Sequence, residues 1–422
     1  MFFKKVFKIE KVRALEILDS RGNPTIMAEV RLNNGIRASA NVPSGASTGS
    51  HEALELRDND KTRYNGKGVK KAVENVNTKI TQLLQGFDIF EQRKIDEAMK
   101  KFDATPNKAN LGANAILGVS LACARAAAIA KKERLYEYLA KLYGINPLGK
   151  IPSPMMNVIN GGAHSDSGLD IQEFMIIPSG ANFAEKMQHA SEVYATLKKE
   201  IMSQGFSAGI GDEGGFAPKL GDNTKAIELL TTAISKAGYV LGKDFNLALD
   251  CAASEFFDKT SGKYNLNCPK ATLSSDELIA MYQKFQEKWP ISVIEDPMAE
   301  DDFEGWKKAT TVLGPKSVLI GDDLFVTNTS RLKEGVKNKM ANAILIKVNQ
   351  IGTLTETLDC IKMARKVNYK VIISHRSGET CDAFIADLAV AVGADFVKFG
   401  APCRGERVAK YNRLLEIEKK VE

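Results

Sequence analysis

Six short apolar runs in the second half of the chain each end on a polar residue, and this pattern constrains the fold more than any other feature of the sequence. NLAL leads to Asp250, SVI to Glu295, VLIG to Asp322, AILI to Lys347, VIIS to His375 and Arg376, and DFV to Lys398. Taken from Arg376 where two residues end a run, the steps are 45, 27, 25, 29 and 22 residues, about the length that a strand, a helix and their loops occupy. Amphipathic stretches such as SDELIAMYQKFQEKW and TETLDCIKMARKV fill the intervals. Strands apolar on both faces belong to parallel sheets covered by helices. The expected fold class is therefore α/β, with a C-terminal (β/α)8-type barrel; an open doubly wound sheet is the competing arrangement.

The first part of the chain has a different rhythm. RALEILDSRGNPTIMAEVRL and IRASANV suggest strands broken by a Gly-Asn-Pro turn. From Val69 the periodicity becomes helical, through VKKAVENVNTKITQLL and FEQRKIDEAMKKF to an Ala-rich run over 113–130 that is apolar nearly all round and is expected to be buried between layers. The Gly- and Pro-rich stretch GINPLGKIPSP, at 144–154, marks the expected boundary between an N-terminal α+β capping domain, 1–145, and the barrel, 146–422.

Composition narrows the function classes. With 44% hydrophobic and 26% charged residues, the chain is neither disordered nor collagen-like. A net charge of +6, without a concentrated basic stripe, implies no nucleic-acid partner. The six cysteines, at 123, 251, 268, 360, 381 and 403, show no Cys-x-x-Cys spacing and read as scattered reduced thiols. Charge interrupts the start, MFFKKVFKIEKVRALEIL, every few residues, and no uninterrupted apolar stretch approaches about 18 residues. A soluble, cytoplasmic protein without membrane insertion is expected.

In a barrel, the C-terminal ends of the strands form the active-site face. One polar residue there is ordinarily a helix cap or a solvated loop charge; six on one rim call for a ligand. Asp250, Glu295 and Asp322, with no histidine cluster beside them, suit a hard cation taking oxygen ligands, Mg²⁺ or Mn²⁺ rather than zinc. Lys347 extends an apolar strand, and a nearby cation would disfavour its ammonium form and make it a base. Arg376 and Ser377 offer a guanidinium fork and a hydroxyl suited to phosphate. Cation, base and anion clamp together fit proton abstraction beside a carboxylate. Three loops add candidates. GDEGGFAP, at 211–218, carries Asp212 and Glu213, and its GxGxxG spacing is rejected as a dinucleotide fingerprint because Pro218 falls where the helix should run. NGGAHSDSGLDIQEF, at 160–174, carries His164, Gln172 and Glu173, and PSGASTGSHE, at 43–52, is either a plain surface turn or a lid using Ser47.

Together these motifs resemble the enolase family. The likeness runs through most of the chain: DSRGNPT, PSGASTG, LGANAILGVS, NGGAH, QEFM, GDEGGFAP, DCAASEF, IEDP, GDDLFVTN, LIKVNQIG, SHRSGET and AKYNRLL, in that order. It implies reversible dehydration of 2-phosphoglycerate to phosphoenolpyruvate in glycolysis. It also implies an enolase-type barrel of slightly irregular strand order, and two Mg²⁺ per active site, the second substrate-dependent. Asp250, Glu295 and Asp322 fall on the ligands of the first Mg²⁺, and Ser47 on the lid residue that reaches the second. Lys347 falls on the base that takes the C2 proton, and Glu213, with Glu173 alongside, on the acid that helps the C3 hydroxyl leave. His164, Gln172, Arg376, Ser377 and Lys398 match substrate-binding positions, and His375 is grouped with them.

The resemblance further implies a homodimer. Relatives are reported to bind plasminogen at cell surfaces or RNA-processing partners, so a secondary cell-surface or secreted pool is an expectation of the same kind. Lys419 and Lys420 are the residues that would serve such binding, although a two-lysine tail is ordinarily just solvated. A superfamily racemase or acid-sugar dehydratase is the competing enzyme. Phe399 stands where the family commonly has Thr, and Cys381 where Glu is usual.

Overall fold

The computed structural model describes residues 7–45, 51–145 and 150–421. Ser47 and part of the 144–154 boundary stretch lie outside them. The chain forms two compact units. The first comprises Met1–Lys150, Ile346–Lys362 and His375–Gly393; the second comprises Ile151–Leu345, Met363–Ser374 and Ala394–Glu422.

The first unit opens on an antiparallel meander, β1 (Ile9–Leu18), β2 (Pro24–Leu32) and β3 (Arg37–Asn41). The β1–β2 turn is held by Asp19, whose Oδ1 accepts the amides of Arg21 and Asn23 at 2.8 and 2.9 Å, while Gly22 takes a positive φ of 74°. Against this sheet lies the Ala-rich helix Ala113–Lys131, buried along most of its length as the sequence predicts. It is long and apolar enough to span a membrane, but 83% of its apolar window is covered by the protein's own core. Small residues permit the close fit: a Cβ on Gly118 would lie 3.0 Å from Ala28 Cβ and 3.2 Å from Val42 Cγ2.

The second unit contains the barrel. Its strands are β4 (Ser153–Asn160), β5 (Glu173–Pro178) and β6 (Phe245–Asp250), then, after a small separate sheet of β7 (Phe257–Asp258), β8 (Lys263–Asn267) and β9 (Lys270–Leu273), β10 (Ile291–Glu295), β11 (Val318–Gly321), β12 (Ala343–Ile346), β13 (Lys370–Ser374) and β14 (Phe396–Lys398). The eight barrel strands close in the order β4, β5, β6, β10, β11, β12, β13, β14. All six apolar runs are barrel strands, and their polar residues fall on or just after the C-terminal end. Met155, Met175, Ile177, Ala248, Val293, Ile320, Ala343, Leu345 and Ile372 pack together, so the barrel has a side-chain core rather than a pore.

As the strand–helix rhythm predicts for the six runs, β6–β10, β10–β11, β11–β12 and β13–β14 are parallel, and so is β14–β4; β5, outside those runs, is antiparallel to both β4 and β6. The link between β4 and β5, residues 161–172, holds only a short 3-10 turn at Gly162–His164. A parallel partner needs a crossover, usually a helix, that returns the chain to the same end of the sheet; without that helix the chain folds back on itself.

Candidate active site

Inversion of β5 places its first residue, Glu173, opposite the last residue of β6, Asp250, which in turn pairs in register with Glu295 at the end of β10. Three carboxylates thus meet on one rim, and Lys398, the last residue of β14, enters their midst. Its Nζ lies 2.9 Å from Asp250 Oδ2, 2.9 and 2.8 Å from the two oxygens of Glu295, and 3.2 Å from Glu173 Oε2. Burial works against the Lys398 charge, but the carboxylates of Asp250, Glu173, Glu295 and Glu213 outweigh it and hold the ammonium well above an ordinary lysine. Gln172 Nε2 donates to Asp250 Oδ2 at 3.3 Å.

Beside this cluster lie Glu173, Glu213 and His164, each offering one atom within 4.8 Å of the others. His164 Nδ1 is 3.5 Å from Glu173 Oε1 and 4.0 Å from Glu213 Oε1. Burial, reinforced by the Glu213 charge, pushes Glu173 well above the usual carboxylate range despite the opposing pull of Lys398. Glu213 sits in the turn 211–216; no helix follows it before Asn223, consistent with rejection of the dinucleotide fingerprint.

Asp322, just beyond β11, is buried and groups with Asp296 and Asp323, one oxygen of each within 4.8 Å. Asp296 accepts the amides of Asp322 and Asp323, both at 2.9 Å, and so fixes the turn that carries Asp322. Within the first unit, Lys347 is half-buried at the start of the short helix Val348–Ile351, and His375, Arg376 and Ser377 are buried just past β13. The guanidinium of Arg376 meets Glu52 through Nη1 at 2.9 Å and Nη2 at 3.1 Å, and Nη1 also donates to Asn349 Oδ1 at 2.9 Å.

Sequence reasoning missed Glu52, Asp296, Asn157 and Asn160. The asparagines interrupt the apolar strand PMMNVIN, the one signal that could have drawn attention to them. Of the two departures from the family pattern, Phe399 is fully buried with its ring 5.8 Å from that of Tyr411, and Cys381 is exposed.

Buried, all-oxygen donors on Asp250 and Glu295, already gathered around an ammonium, fit a hard divalent cation. Residues 9–139 match the family model described as Enolase, N-terminal domain, and residues 149–422 match Enolase, C-terminal TIM barrel domain. The chain belongs to the enolase family. It is accordingly a Mg²⁺-dependent enzyme of the enolase superfamily, with acidic groups that could bind the metal.

Proposed function

We propose that the protein is a phosphopyruvate hydratase, interconverting 2-phosphoglycerate and phosphoenolpyruvate. The observation that carries this reading is the ring of Asp250, Glu295 and Glu173 around Lys398, set beside the acid pair Glu173 and Glu213. Asp250, Glu295 and Asp322 would hold the first Mg²⁺, and Ser47 would reach a second that binds with substrate. The metal would stabilise negative charge on the substrate carboxylate as C2 loses its proton. Lys347, as a neutral amine, takes that proton. The C2 electron pair forms the C2–C3 double bond as the C3–O bond breaks, and the departing hydroxyl takes a proton from Glu213. Burial and the neighbouring Glu213 push Glu173 above the usual carboxylate range, and the close pair would hold one proton between its two carboxyls, the one that Glu213 passes on. His164, Gln172, Lys398, His375, Arg376 and Ser377 bind the substrate, with Arg376 and Ser377 assigned to its phosphate.

We further propose a cytoplasmic homodimer of a 1–145 capping domain and a 146–422 barrel. The test is turnover of 2-phosphoglycerate to the ultraviolet-absorbing enol product, abolished by EDTA and restored by Mg²⁺. Turnover instead of unphosphorylated hydroxy acids, with none of 2-phosphoglycerate, would overturn the reading in favour of another superfamily reaction.

A further inference from the structure

Asn157 lies on β4 with no exposed surface, inside a strand otherwise apolar apart from its end residues Ser153 and Asn160. Its Nδ2 donates to Glu213 Oε2 at 3.1 Å and to Asn160 Oδ1 at 2.5 Å. Its own oxygen, Oδ1, has no hydrogen-bond partner among the described residues, so the amide is engaged through nitrogen alone. Asn160 Nδ2 in turn donates to the carbonyl of Gly215 at 3.3 Å. We infer that Asn157 is a positioning residue for Glu213, fixing its carboxylate so that the proton passed to the leaving hydroxyl is carried on Oε1. The inference rests on the assignment of Glu213 as the proton donor.

The polarity of this relay follows from one group that cannot reverse. A backbone carbonyl only accepts, so the Gly215 oxygen requires the nitrogen of Asn160 to face it. That leaves Asn160 Oδ1 turned toward Asn157. Reversing the Asn157 amide would set two acceptor oxygens 2.5 Å apart, so its nitrogen must face Asn160 and, with it, Glu213. Glu213 Oε2 is therefore an acceptor, and a proton placed there would lie against the amide hydrogens. The proton is then carried on Oε1, the oxygen 4.0 Å from His164 Nδ1.

The surrounding backbone removes the remaining freedom. The Glu213 carbonyl accepts the Ala401 amide at 2.9 Å, and the Gly214 carbonyl accepts the Tyr194 hydroxyl at 2.6 Å. Phe216 exchanges backbone bonds with β4 on both sides, from its amide to Val158 and from Asn160 to its carbonyl. A Cβ on Gly215 would lie 2.6 Å from Asn160 Oδ1 and 3.0 Å from Asn157 Oδ1, so the relay and the glycine require each other.

The test separates proton removal from elimination. With 2-phosphoglycerate in D₂O and Mg²⁺, exchange at C2 reports on Lys347, and product formation reports on both steps. Asn157→Ala is expected to lower kcat about 100-fold with KM within about twofold, while C2 exchange stays within about threefold of wild type. Asn157→Asp, nearly the same size, covers the case in which the alanine variant does not fold. It places a carboxyl against Glu213, so the alkaline limb of its kcat–pH profile is expected to move upward. Exchange and elimination falling by the same factor in the alanine variant, or an unmoved limb in the aspartate variant, would overturn the inference. Failure of the wild type to dehydrate 2-phosphoglycerate would instead overturn the functional reading beneath it.

Discussion

Lys398 Nζ lies 2.8 Å from Glu295 Oε2, and each side chain is at least 97% buried. Neither charge tolerates loss of the other, because an unpaired charge has no water to turn to. Replacing Lys398 by Met leaves Asp250, Glu295 and Glu173 crowded without a cation. Such a change is expected to destabilise the metal-free protein by about 3–5 kcal/mol. Added Mg²⁺ should then raise the melting temperature of Lys398→Met more than that of wild type, since the ion replaces the lost charge and binds only the folded state. Melts with and without Mg²⁺ check this, and equal shifts in both proteins would argue against a cation site at these carboxylates.

Lys347→Ala is expected to keep the fold and to lose about 100- to 10,000-fold in kcat, the usual contribution of a positioned base. The same variant should lose C2 exchange in parallel, which distinguishes it from variants of the acid. Near-normal turnover with a correct melting profile would remove Lys347 from the mechanism.

Asp382 predicts an acid limit to stability. Burial works to raise its carboxyl, but the Arg125 guanidinium, at 2.7 and 2.6 Å, and the amides of Asn41 and Phe384 prevail and hold it below its ordinary value of 3.8. A carboxyl lowered by folding stabilises the protein above its unfolded value, and that contribution is lost as pH falls through the folded value. Wild type should therefore lose stability progressively below about pH 4. Arg125→Met should cost about 2–3 kcal/mol at neutral pH and flatten that acid dependence, measured by urea unfolding across pH.

The close approach at Gly118 gives a packing test. A valine there would press on Ala28 and Val42, already only 3.0 and 3.2 Å from a bare Cβ. Gly118→Val is expected to lower stability by about 1–3 kcal/mol, the range for overpacked cores, seen as a reduced urea midpoint.

What was legible in the sequence was what repeats. The six barrel strands leading to Asp250, Glu295, Asp322, Lys347, His375 and Lys398 share an apolar run with a polar residue at or just after its end, and a buried parallel strand has few other ways to be written. β4 and β5 escaped that reading because no helix separates them and the polar residue of β5 stands at its start. Asn157 and Glu52 were illegible for another reason: a lone amide in an apolar strand and a lone acid after a loop acquire meaning only from partners 56 and 324 residues away. Periodicity carries local structure, whereas such pairings exist only once the chain has closed on itself.

The reversed strand also bears on the order in which the barrel assembles. β4 and β5 meet across a short loop, whereas β14 must find β4 across the whole length of the barrel, Phe396 against Ser153. Loop-closure entropy favours the nearer pairing, so the hairpin should form early and ring closure late. Its register already sets Asn160 opposite Glu173. Pulse-labelled hydrogen exchange is expected to protect the amides of Met156 and Ile176 before that of Val397. The Glu173 side of the proton-handling corner would then be laid down locally, and the entry of Lys398 among the carboxylates would wait for β14 to close the ring.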